Sequence, residues 1–255
     1  MKVAILAGGF GTRISEESQF KPKPMIEIGG MPIIWHIMKH YSSYGFNEFV
    51  ILGGYKQNYI KDYFKNYFLW HSDVTFDFAT KETVYHKTKI EPWKVTVLDT
   101  GLNTNTGGRI RKAIEYFGDE PFMLTYGDGV SDVDIDKLLE FHKKGGKLLT
   151  ITAVSLAQNK GILDIGKGGI VQSFREKSDS DAASINGGFM VCEPGIIKYI
   201  SGNVTFERTP LRKMVADGQV DAYFHRGFWH CMDTKRDKDE LEGMLSSGEA
   251  PWVSW

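Results

Sequence analysis

Cysteine and long apolar runs are both scarce in this sequence. Its 255 residues include only two cysteines, Cys192 and Cys231, and their spacing does not suggest a disulfide framework or a zinc knuckle. No apolar run approaches the ~20 residues that a membrane-spanning helix needs. A strand-like stretch begins directly after Met1, without the regions of a signal peptide. We therefore expect a cytoplasmic protein without a membrane segment.

An excess of charge of either sign is also missing. The chain has 31 Lys and Arg residues against 32 Asp and Glu residues, for a formal net charge of -1. Nucleic acids and membrane surfaces select a basic excess, so the composition predicts neither as a partner. A hydrophobic content of 42% with 25% charged residues is ordinary for a globular protein. Any anion site must therefore be built locally.

A glycine-rich turn is the first local feature. Val3–Ala7 is an apolar run of strand length, and it stops at a Gly-Gly-Phe-Gly turn, residues 8–11, that leads into Thr12 and Arg13. Glycines let main-chain N–H groups approach a polyanion, and the planar Arg13 guanidinium matches phosphate oxygens. The stretch predicts a cradle for a nucleotide triphosphate, with a simple tight turn as the alternative.

A basic, proline-framed segment follows this turn. Residues 21–25 have the sequence Lys-Pro-Lys-Pro-Met, and each proline biases the residue before it away from helix. A rigid frame lowers the entropic cost of holding Lys23 against a phosphate. A solvated charged loop is the alternative interpretation.

Strand and helix patterns alternate in the first half of the chain. Apolar runs of strand length at Val3–Ala7, Glu48–Leu52 and Lys94–Asp99 enclose amphipathic patterns such as Gln57–Tyr67. This order predicts an α/β fold with a doubly wound, mostly parallel, Rossmann-like sheet. Ligands bind such sheets at the carboxyl ends of the strands, where the glycine-rich turn lies. A β-rich stretch follows in the second half.

An aromatic-rich segment interrupts this order at about residues 68–93. Its short alternating stretches, Val74–Phe78 and Thr83–Tyr85, predict an inserted hairpin or arm. Packing across the main sheet is one interpretation. Exposed aromatic arms also make subunit contacts, so the segment predicts a homo-oligomer.

Polar residues also follow the later strands. Thr100–Arg109 leads into a helix, and its hydroxyls, amides and glycines suit the binding of an anion or a ribose. Simple capping of the helix by Thr106 is the alternative.

Asp128 follows the apolar run Pro121–Tyr126 with a glycine on each side, and hard Mg²⁺ selects such oxygen ligands. Asp233 is either a second carboxylate for the metal or the cap of the last helix.

The β-rich stretch carries polar residues suited to a sugar phosphate. Glu176 and Asn186 offer acceptors and donors to sugar hydroxyls, and Lys177 offers a point charge to a phosphate. Ordinary surface charge is the alternative.

Together these stretches resemble the nucleoside-diphosphate-sugar pyrophosphorylases, a family of sugar nucleotidyltransferases. The opening motif with its lysine is specific to that superfamily, and the stretches at Trp35 and Ser72 are similar to its cytidylyltransferase branch. The resemblance covers nearly the whole chain, and the stretches that carry it are Leu6–Arg13, Lys21–Met25, Trp35–Lys39, Ser72–Phe76, Thr106–Arg109, Tyr126–Gly129, Ile185–Phe189 and Met232–Thr234.

The resemblance implies a fold and a reaction. The fold is a glycosyltransferase-A-like nucleotidyltransferase domain over residues 1–255, with a nucleotide half at 1–130 and a sugar-phosphate half at 131–255. The reaction converts CTP and α-D-glucose 1-phosphate to CDP-glucose and pyrophosphate with Mg²⁺, by in-line attack on the α-phosphorus. A phosphate is already a competent nucleophile, so positioning and charge neutralisation carry catalysis. In this family CDP-glucose usually feeds dideoxysugar and surface-polysaccharide (O-antigen) synthesis.

The same resemblance implies roles for individual residues. The catalytic residues would be Arg13, Lys23 and Asp128. The ligands of Mg²⁺ would be Asp128 and Asp233. The sugar phosphate would be received by Glu176, Lys177 and Asn186. The nucleotide would be bound by Leu6, Ala7, Gly8, Gly9, Gly11, Thr12, Arg13, Lys23, Thr104 and Arg109.

Two departures from the family pattern lie on the sugar side. Asn159-Lys160-Gly161 replaces the usual Arg-Phe-Gly, and Ser178 replaces the proline of the usual Glu-Lys-Pro. The alternatives are an enzyme that uses dTTP, UTP or another sugar 1-phosphate, and a nucleotide-binding regulatory subunit that lacks chemistry. A dehydrogenase is disfavoured because the third glycine of the dinucleotide motif is missing after Gly11.

Overall fold

The structure is a computed structural model that describes residues 1–88, 90–155, 162–165, 171–175 and 184–255. None of the helices within those ranges combines the length and the apolar character needed to cross a bilayer. The helices are α1 (Ser15–Ser18), α2 (Ile33–Ser43), α3 (Gln57–Trp70), α4 (Thr106–Phe117), α5 (Ile135–Gly145), α6 (Thr209–Ala216) and α7 (Lys235–Ser247), with 3-10 turns at Thr12–Ile14, Lys23–Met25 and Pro194–Tyr199. The strands are β1 (Val3–Ala7), β2 (Glu27–Ile28), β3 (Met31–Pro32), β4 (Glu48–Gly53), β5 (Ser72–Asp77), β6 (Glu82–Thr88), β7 (Lys94–Asp99), β8 (Phe122–Tyr126), β9 (Gly129–Ser131), β10 (Leu149–Ser155), β11 (Ile162–Ile165), β12 (Val171–Arg175), β13 (Ser184–Asn186), β14 (Met190–Cys192), β15 (Val220–His225) and β16 (Trp229–Cys231).

A mixed sheet forms the centre of the molecule. β7, β4, β1 and β8 are parallel neighbours in that order, and Leu6 of β1 lies between Leu52 and Tyr126. β14 is antiparallel to β8, β10 pairs with both β13 and β14, and β15 runs parallel to β10. The predicted α/β fold with a mostly parallel sheet is confirmed. The carboxyl ends of β1 and β8 therefore open at the same edge.

Helices cover both faces of this sheet because its central strand is apolar on both sides. All five residues of β1 are buried. Val3, Ile5 and Ala7 pack with α2, α3, α5 and α7, whereas Ala4 and Leu6 pack with α4 and α6. This alternation is expected when successive side chains of a strand point to opposite faces. Because β1 is buried on both faces, the turn at residues 8–11 that follows it is held in a fixed position at the edge of the sheet.

Residues 184–192 form two short strands that are separated by a bend. β13 ends at Asn186 and β14 begins at Met190. The intervening residues include Gly188 with a φ of 78° and Phe189 with a φ of 44°. Left-handed backbone is strained for a phenylalanine, but the Phe189 ring is buried and stacks on Tyr41 with 5.6 Å between centroids. Core packing therefore compensates a bend that the apolar pattern did not reveal.

The inserted aromatic segment forms a projecting hairpin, which we call the arm. It consists of β5 and β6, which pair with each other in antiparallel fashion, and α3 extends beyond the predicted Tyr67 to lead into it. Every residue of β6 is exposed. Phe76 is 52% exposed and Phe78 is 91% exposed. The arm therefore presents apolar rings to solvent instead of packing them across the main sheet.

The segment after α7 returns to the core at Trp252. This residue is fully buried, and its Nε1 donates to Nδ1 of His36 at 3.4 Å. Nε2 of His36 lies 2.9 Å from the carbonyl oxygen of Ile28. Burial lowers the pKa of His36, and a neutral ring with its proton on Nε2 fits both contacts. Trp252 thus fastens the end of the described chain to α2.

We expect Trp252→Ala to lower the free energy of unfolding by about 3–5 kcal/mol, because it empties a fully buried aromatic site. Urea denaturation followed by circular dichroism measures this loss. Phe224→Ala is the control, since Phe224 is 67% exposed and its truncation should change stability by no more than ~0.5 kcal/mol. Equal losses in the two variants would show that Trp252 does not fasten the chain.

Candidate active site

A cleft of about 520 Å³ lies at the carboxyl ends of β1 and β8. Doubly wound sheets bind their ligands at this edge. The structure brings together there all the residues predicted to contact nucleotide or metal, and these are Leu6, Ala7, Gly8, Gly9, Gly11, Thr12, Arg13, Lys23, Thr104, Arg109, Asp128 and Asp233. Their roles toward a ligand stay predictions, but their common position is a structural fact.

A small antiparallel pair of strands brings the two aspartates together. Asp128 directly precedes β9, and β9 pairs with β16 so that Cys231 lies opposite Gly129. The main-chain N–H of Met232 also donates to the carbonyl oxygen of Asp128 at 2.8 Å. As a result, carboxylate oxygens of Asp128 and Asp233 and the sulfur of Cys231 all lie within 4.8 Å of one another.

Asp233 is not the cap of the last helix. Thr234 occupies that position, and its hydroxyl accepts from the N–H of Asp237 while the Asp237 carboxylate accepts from the N–H of Thr234. This reciprocal arrangement is a capping box. The alternative role considered for Asp233 is therefore wrong, and its carboxylate lines the cleft.

The Lys23 ammonium lies between the two aspartates. Its Nζ is 2.6 Å from Oδ2 of Asp128 and 2.6 Å from Oδ1 of Asp233. Burial lowers the pKa of Lys23, but the charge of Asp128 and the hydrogen bonds to both carboxylates outweigh it, so the pKa is raised and the amine is charged. Arg13 approaches Asp233 from outside, with Nη1 2.6 Å from Oδ2. Lys23 is 8% exposed as a residue, whereas the Arg13 side chain is 72% exposed.

Glycines and prolines hold Lys23 in this position. Pro22 has extended backbone and precedes the 3-10 turn that contains Lys23 and Pro24. A Cβ added at Gly11, where φ is 66°, would lie 3.2 Å from Cβ of Lys23, and one at Gly127 would lie 3.0 Å from Cγ of Pro24. The glycine-rich turn and the proline-framed segment therefore pack directly on each other. This packing holds the backbone around Lys23 in place without a ligand.

Arg109 forms a buried clamp at the rim of the cleft. Nη1 donates to the carbonyl oxygens of Gly53 at 2.9 Å and Gly101 at 3.0 Å, and Nη2 donates to that of Gly8 at 2.8 Å. These contacts tie together the chain at the carboxyl ends of β1, β4 and β7. A Cβ at Gly8 would lie 2.2 Å from Cζ of Arg109. Glycine is therefore needed at position 8 because any side chain would collide with the Arg109 guanidinium. The sequence pattern did not indicate this role of Gly8.

A hydrogen-bonded chain links the cleft to Asn186 on the predicted sugar side. Nδ2 of Asn186 donates to the Tyr126 hydroxyl at 3.2 Å, and that hydroxyl donates to Oε1 of Glu207 at 2.7 Å. The Thr106 hydroxyl donates to Oε2 of Glu207 at 2.6 Å. Burial and the charge of Glu207 raise the pKa of Tyr126, so the phenol stays protonated. Thr106 thus bonds to Glu207, and the cap position of α4 belongs to Asn105.

The sequence did not reveal Glu207 as part of the site. It lies 81 residues from Tyr126, and no local motif surrounds it. Glu176 and Lys177, the other predicted sugar-phosphate residues, lie outside the described residues, as do the departures at 159–161 and Ser178.

Known proteins are similar to this chain in both sequence and fold. The family model for "Nucleotidyl transferase" matches residues 2–235. The glucose-1-phosphate cytidylyltransferase of Salmonella typhimurium is 51% identical over 257 residues, which cover 100% of each chain. The probable glucose-1-phosphate cytidylyltransferase of Bacillus subtilis is 43% identical, again over 100% of each chain. The crystal structure of HddC from Yersinia pseudotuberculosis complexed with GMP-PN has a TM-score of 0.69 and 25% identity, covering 96% of this chain and 99% of that one.

The chain therefore belongs to the nucleotidyl transferase family, and it is an enzyme of that class. Within the family, identity over the full length groups it with the glucose-1-phosphate cytidylyltransferases. The resemblance inferred from the motifs is confirmed, including the cytidylyltransferase branch indicated by the stretches at Trp35 and Ser72.

We expect Arg109→Ala to lower the free energy of unfolding by at least about 2 kcal/mol, because it removes the hydrogen bonds that a buried guanidinium donates to the carbonyl oxygens of Gly8, Gly53 and Gly101. Urea denaturation measures the loss. Arg111→Ala is the matched control on the same helix, since Arg111 is exposed and donates to Ile200; its loss should stay within ~1.5 kcal/mol. If Arg109→Ala is no less stable than Arg111→Ala, Arg109 is not a clamp.

Proposed function

We propose that this enzyme converts CTP and α-D-glucose 1-phosphate to CDP-glucose and pyrophosphate. The observation that carries the proposal is the meeting of Lys23, Asp128 and Asp233 in one cleft at the carboxyl ends of β1 and β8. The full-length relatives named glucose-1-phosphate cytidylyltransferases support this pair of substrates. Because both substrates are polyanions, an enzyme that joins them must supply concentrated positive charge.

The nucleotide lies along the glycine-rich turn in this proposal. Main chain from Leu6 to Gly9 contacts the base, and Gly11, Thr12 and Arg13 contact the triphosphate. Two observations support this placement. The Arg13 side chain is 72% exposed at the cleft, and a Cβ built at Gly9 would meet no atom within 4 Å. The exposed guanidinium can donate to phosphate oxygens, and the open space at Gly9 leaves room for the phosphates.

The same cleft offers ligands for Mg²⁺. Asp128 and Asp233 supply the carboxylate oxygens that this hard cation prefers. Cys231 adds no ligand for it, because Mg²⁺ selects oxygen ligands and sulfur ligands suit softer metals. The two aspartates therefore fit the metal that the family implies. When bound, Mg²⁺ neutralises phosphate charge and orients the reacting groups.

The chemical step needs no protein nucleophile. A phosphate oxygen of the sugar phosphate forms a bond to the α-phosphorus of CTP, and the bond from that phosphorus to the bridging oxygen breaks, so the electron pair leaves with pyrophosphate. Lys23 and Arg13 hold the phosphates near this centre and neutralise their charge, and the rate enhancement comes from positioning.

Asn186, with Glu176 and Lys177, receives the sugar phosphate. Tyr126 and Glu207 orient the Asn186 amide.

We expect Asp128→Asn to reduce pyrophosphate release at least about 100-fold, because it removes a charge that holds the metal at the reacting phosphates. Release is followed with Mg²⁺ and glucose 1-phosphate, using CTP, dTTP and UTP in separate reactions. Asp136→Asn is the matched control, since Asp136 is exposed on α5 and lies outside the cleft. We expect the variant still to bind nucleotide, which calorimetric titration with CTP measures.

The outcomes separate the rival functions. No release with CTP, or faster release with dTTP or UTP, would contradict the proposed substrate. Unchanged turnover in Asp128→Asn would contradict the proposed site. Nucleotide binding without turnover in the unmodified enzyme would favour a regulatory subunit.

We also propose that the arm joins copies of this chain into a homo-oligomer. An isolated two-stranded hairpin is marginally stable in water, and exposed apolar patches mark interaction surfaces. Phe76 and Phe78 on the arm, and Trp70 at its base, are all more than half exposed. A second copy is the proposed occupant because most homo-oligomers bury the same patch on both subunits. Cytoplasmic location, the absence of a nucleic-acid partner and a role in surface-polysaccharide synthesis stay predictions.

We expect the unmodified protein to sediment as an oligomer, and Phe76→Ser with Phe78→Ser to shift it to a smaller species, because serine removes the apolar area that a partner would cover. Analytical ultracentrifugation measures both. Phe224→Ser is the control, since Phe224 is 67% exposed but lies on β15, away from the arm. A monomeric unmodified protein would refute the proposal.

A further inference from the structure

Lys23 lies between the two carboxylates that would hold a metal. Its Nζ lies 2.6 Å from both Oδ2 of Asp128 and Oδ1 of Asp233. Mg²⁺ binds oxygen ligands at ~2.0–2.1 Å, so a cation bound to both aspartates would occupy the space that holds the ammonium. Two positive groups at that separation would also repel each other. The ammonium and the metal therefore cannot both lie between these carboxylates.

The surroundings of Lys23 restrict where its ammonium can go. The residue is 8% exposed, and its backbone is held by Pro22, Pro24 and the packing against Gly11. Moving the side chain away from the aspartates would leave a buried cation without a partner, which is unfavourable. Another anion at the cleft must accept it. A triphosphate lying along the glycine-rich turn is such an anion, because the turn packs on Lys23.

We propose that Lys23 excludes the divalent metal from Asp128 and Asp233 until a nucleoside triphosphate accepts its ammonium. The inference rests on the proposed function, which identifies the triphosphate as the ligand that binds beside Lys23. Displacement of Lys23 by either ligand then raises the affinity for the other, so nucleotide and metal bind with positive coupling. The metal then enters together with the nucleotide, and the free enzyme has little affinity for it.

Lys21 provides a matched comparison. It also carries an ammonium on the proline-framed segment, but its Nζ lies 2.8 Å from Oε1 of Glu27 and it does not line the cleft. Removing either lysine changes the net charge of the protein by the same amount. Only the removal of Lys23 takes away the ammonium that contacts both aspartates, whereas the exposed Arg13 still contacts Asp233. A difference between the two variants therefore reports local exclusion and not overall charge.

The test measures Mn²⁺ binding to the nucleotide-free enzyme by electron paramagnetic resonance of the free ion. We expect Lys23→Met to bind Mn²⁺ at least about tenfold more tightly than the unmodified enzyme, whereas Lys21→Met should match the unmodified enzyme. Adding Asp233→Asn to Lys23→Met should abolish the gain, which locates the ion at this site. Circular dichroism verifies folding, and Lys23→Gln serves in its place if Lys23→Met does not fold.

Each outcome decides the inference. Equal Mn²⁺ affinity in the unmodified enzyme and Lys23→Met, absence of binding in both, or an equal gain in Lys21→Met would overturn it. If the unmodified enzyme nonetheless releases pyrophosphate from CTP, the proposed function stands while the inference fails. A gain specific to Lys23→Met in an enzyme inactive with CTP would leave the exclusion intact and refute the proposed substrate.

Discussion

The ion cluster of Lys23 with Asp128 and Asp233 is the interaction around which the site is built. It joins the proline-framed segment to the end of the β9–β16 pair at which both aspartates lie, across 105 and 210 residues of sequence. A buried cation is costly unless its partners are held in good geometry. The glycines at 11 and 127 and the prolines on either side of Lys23 supply that geometry by fixing the backbone. The features that looked like separate motifs are thus parts of one arrangement.

Arg109 shows how a second cation in the same cleft can have a different task. Its guanidinium is buried among carbonyl groups from the ends of three parallel strands, so its donors are directed to main chain. Arginine suits this task because its planar fork offers several N–H groups in fixed directions. By contrast, Arg13 is largely exposed and makes one contact to Asp233. Burial and the number of acceptors nearby separate a clamp from a residue that can turn toward a ligand.

The link from Thr106 through Glu207 and Tyr126 to Asn186 connects the two sides of the cleft. It joins the start of α4, the end of β8 and the end of β13 through hydrogen bonds between side chains. The bend at Gly188 and Phe189, which separates β13 from β14, lies next to Asn186. Local strain in the backbone is stabilised there by a buried aromatic ring.

The resemblance to a known family indicated the residues that line the cleft. The sequence by itself determined the strand and helix order and the glycine-rich turn. Those features depend on apolar periodicity and on the local chemistry of glycine and proline, which act over a few residues. The tertiary structure alone decided that Lys23 bridges both aspartates, that Arg109 is a clamp to Gly8, and that Glu207 belongs to the site. Each of these rests on contacts between residues 81 to 210 positions apart. Such pairings arise from how the sheet brings loop ends together, and no local pattern in a single sequence encodes them.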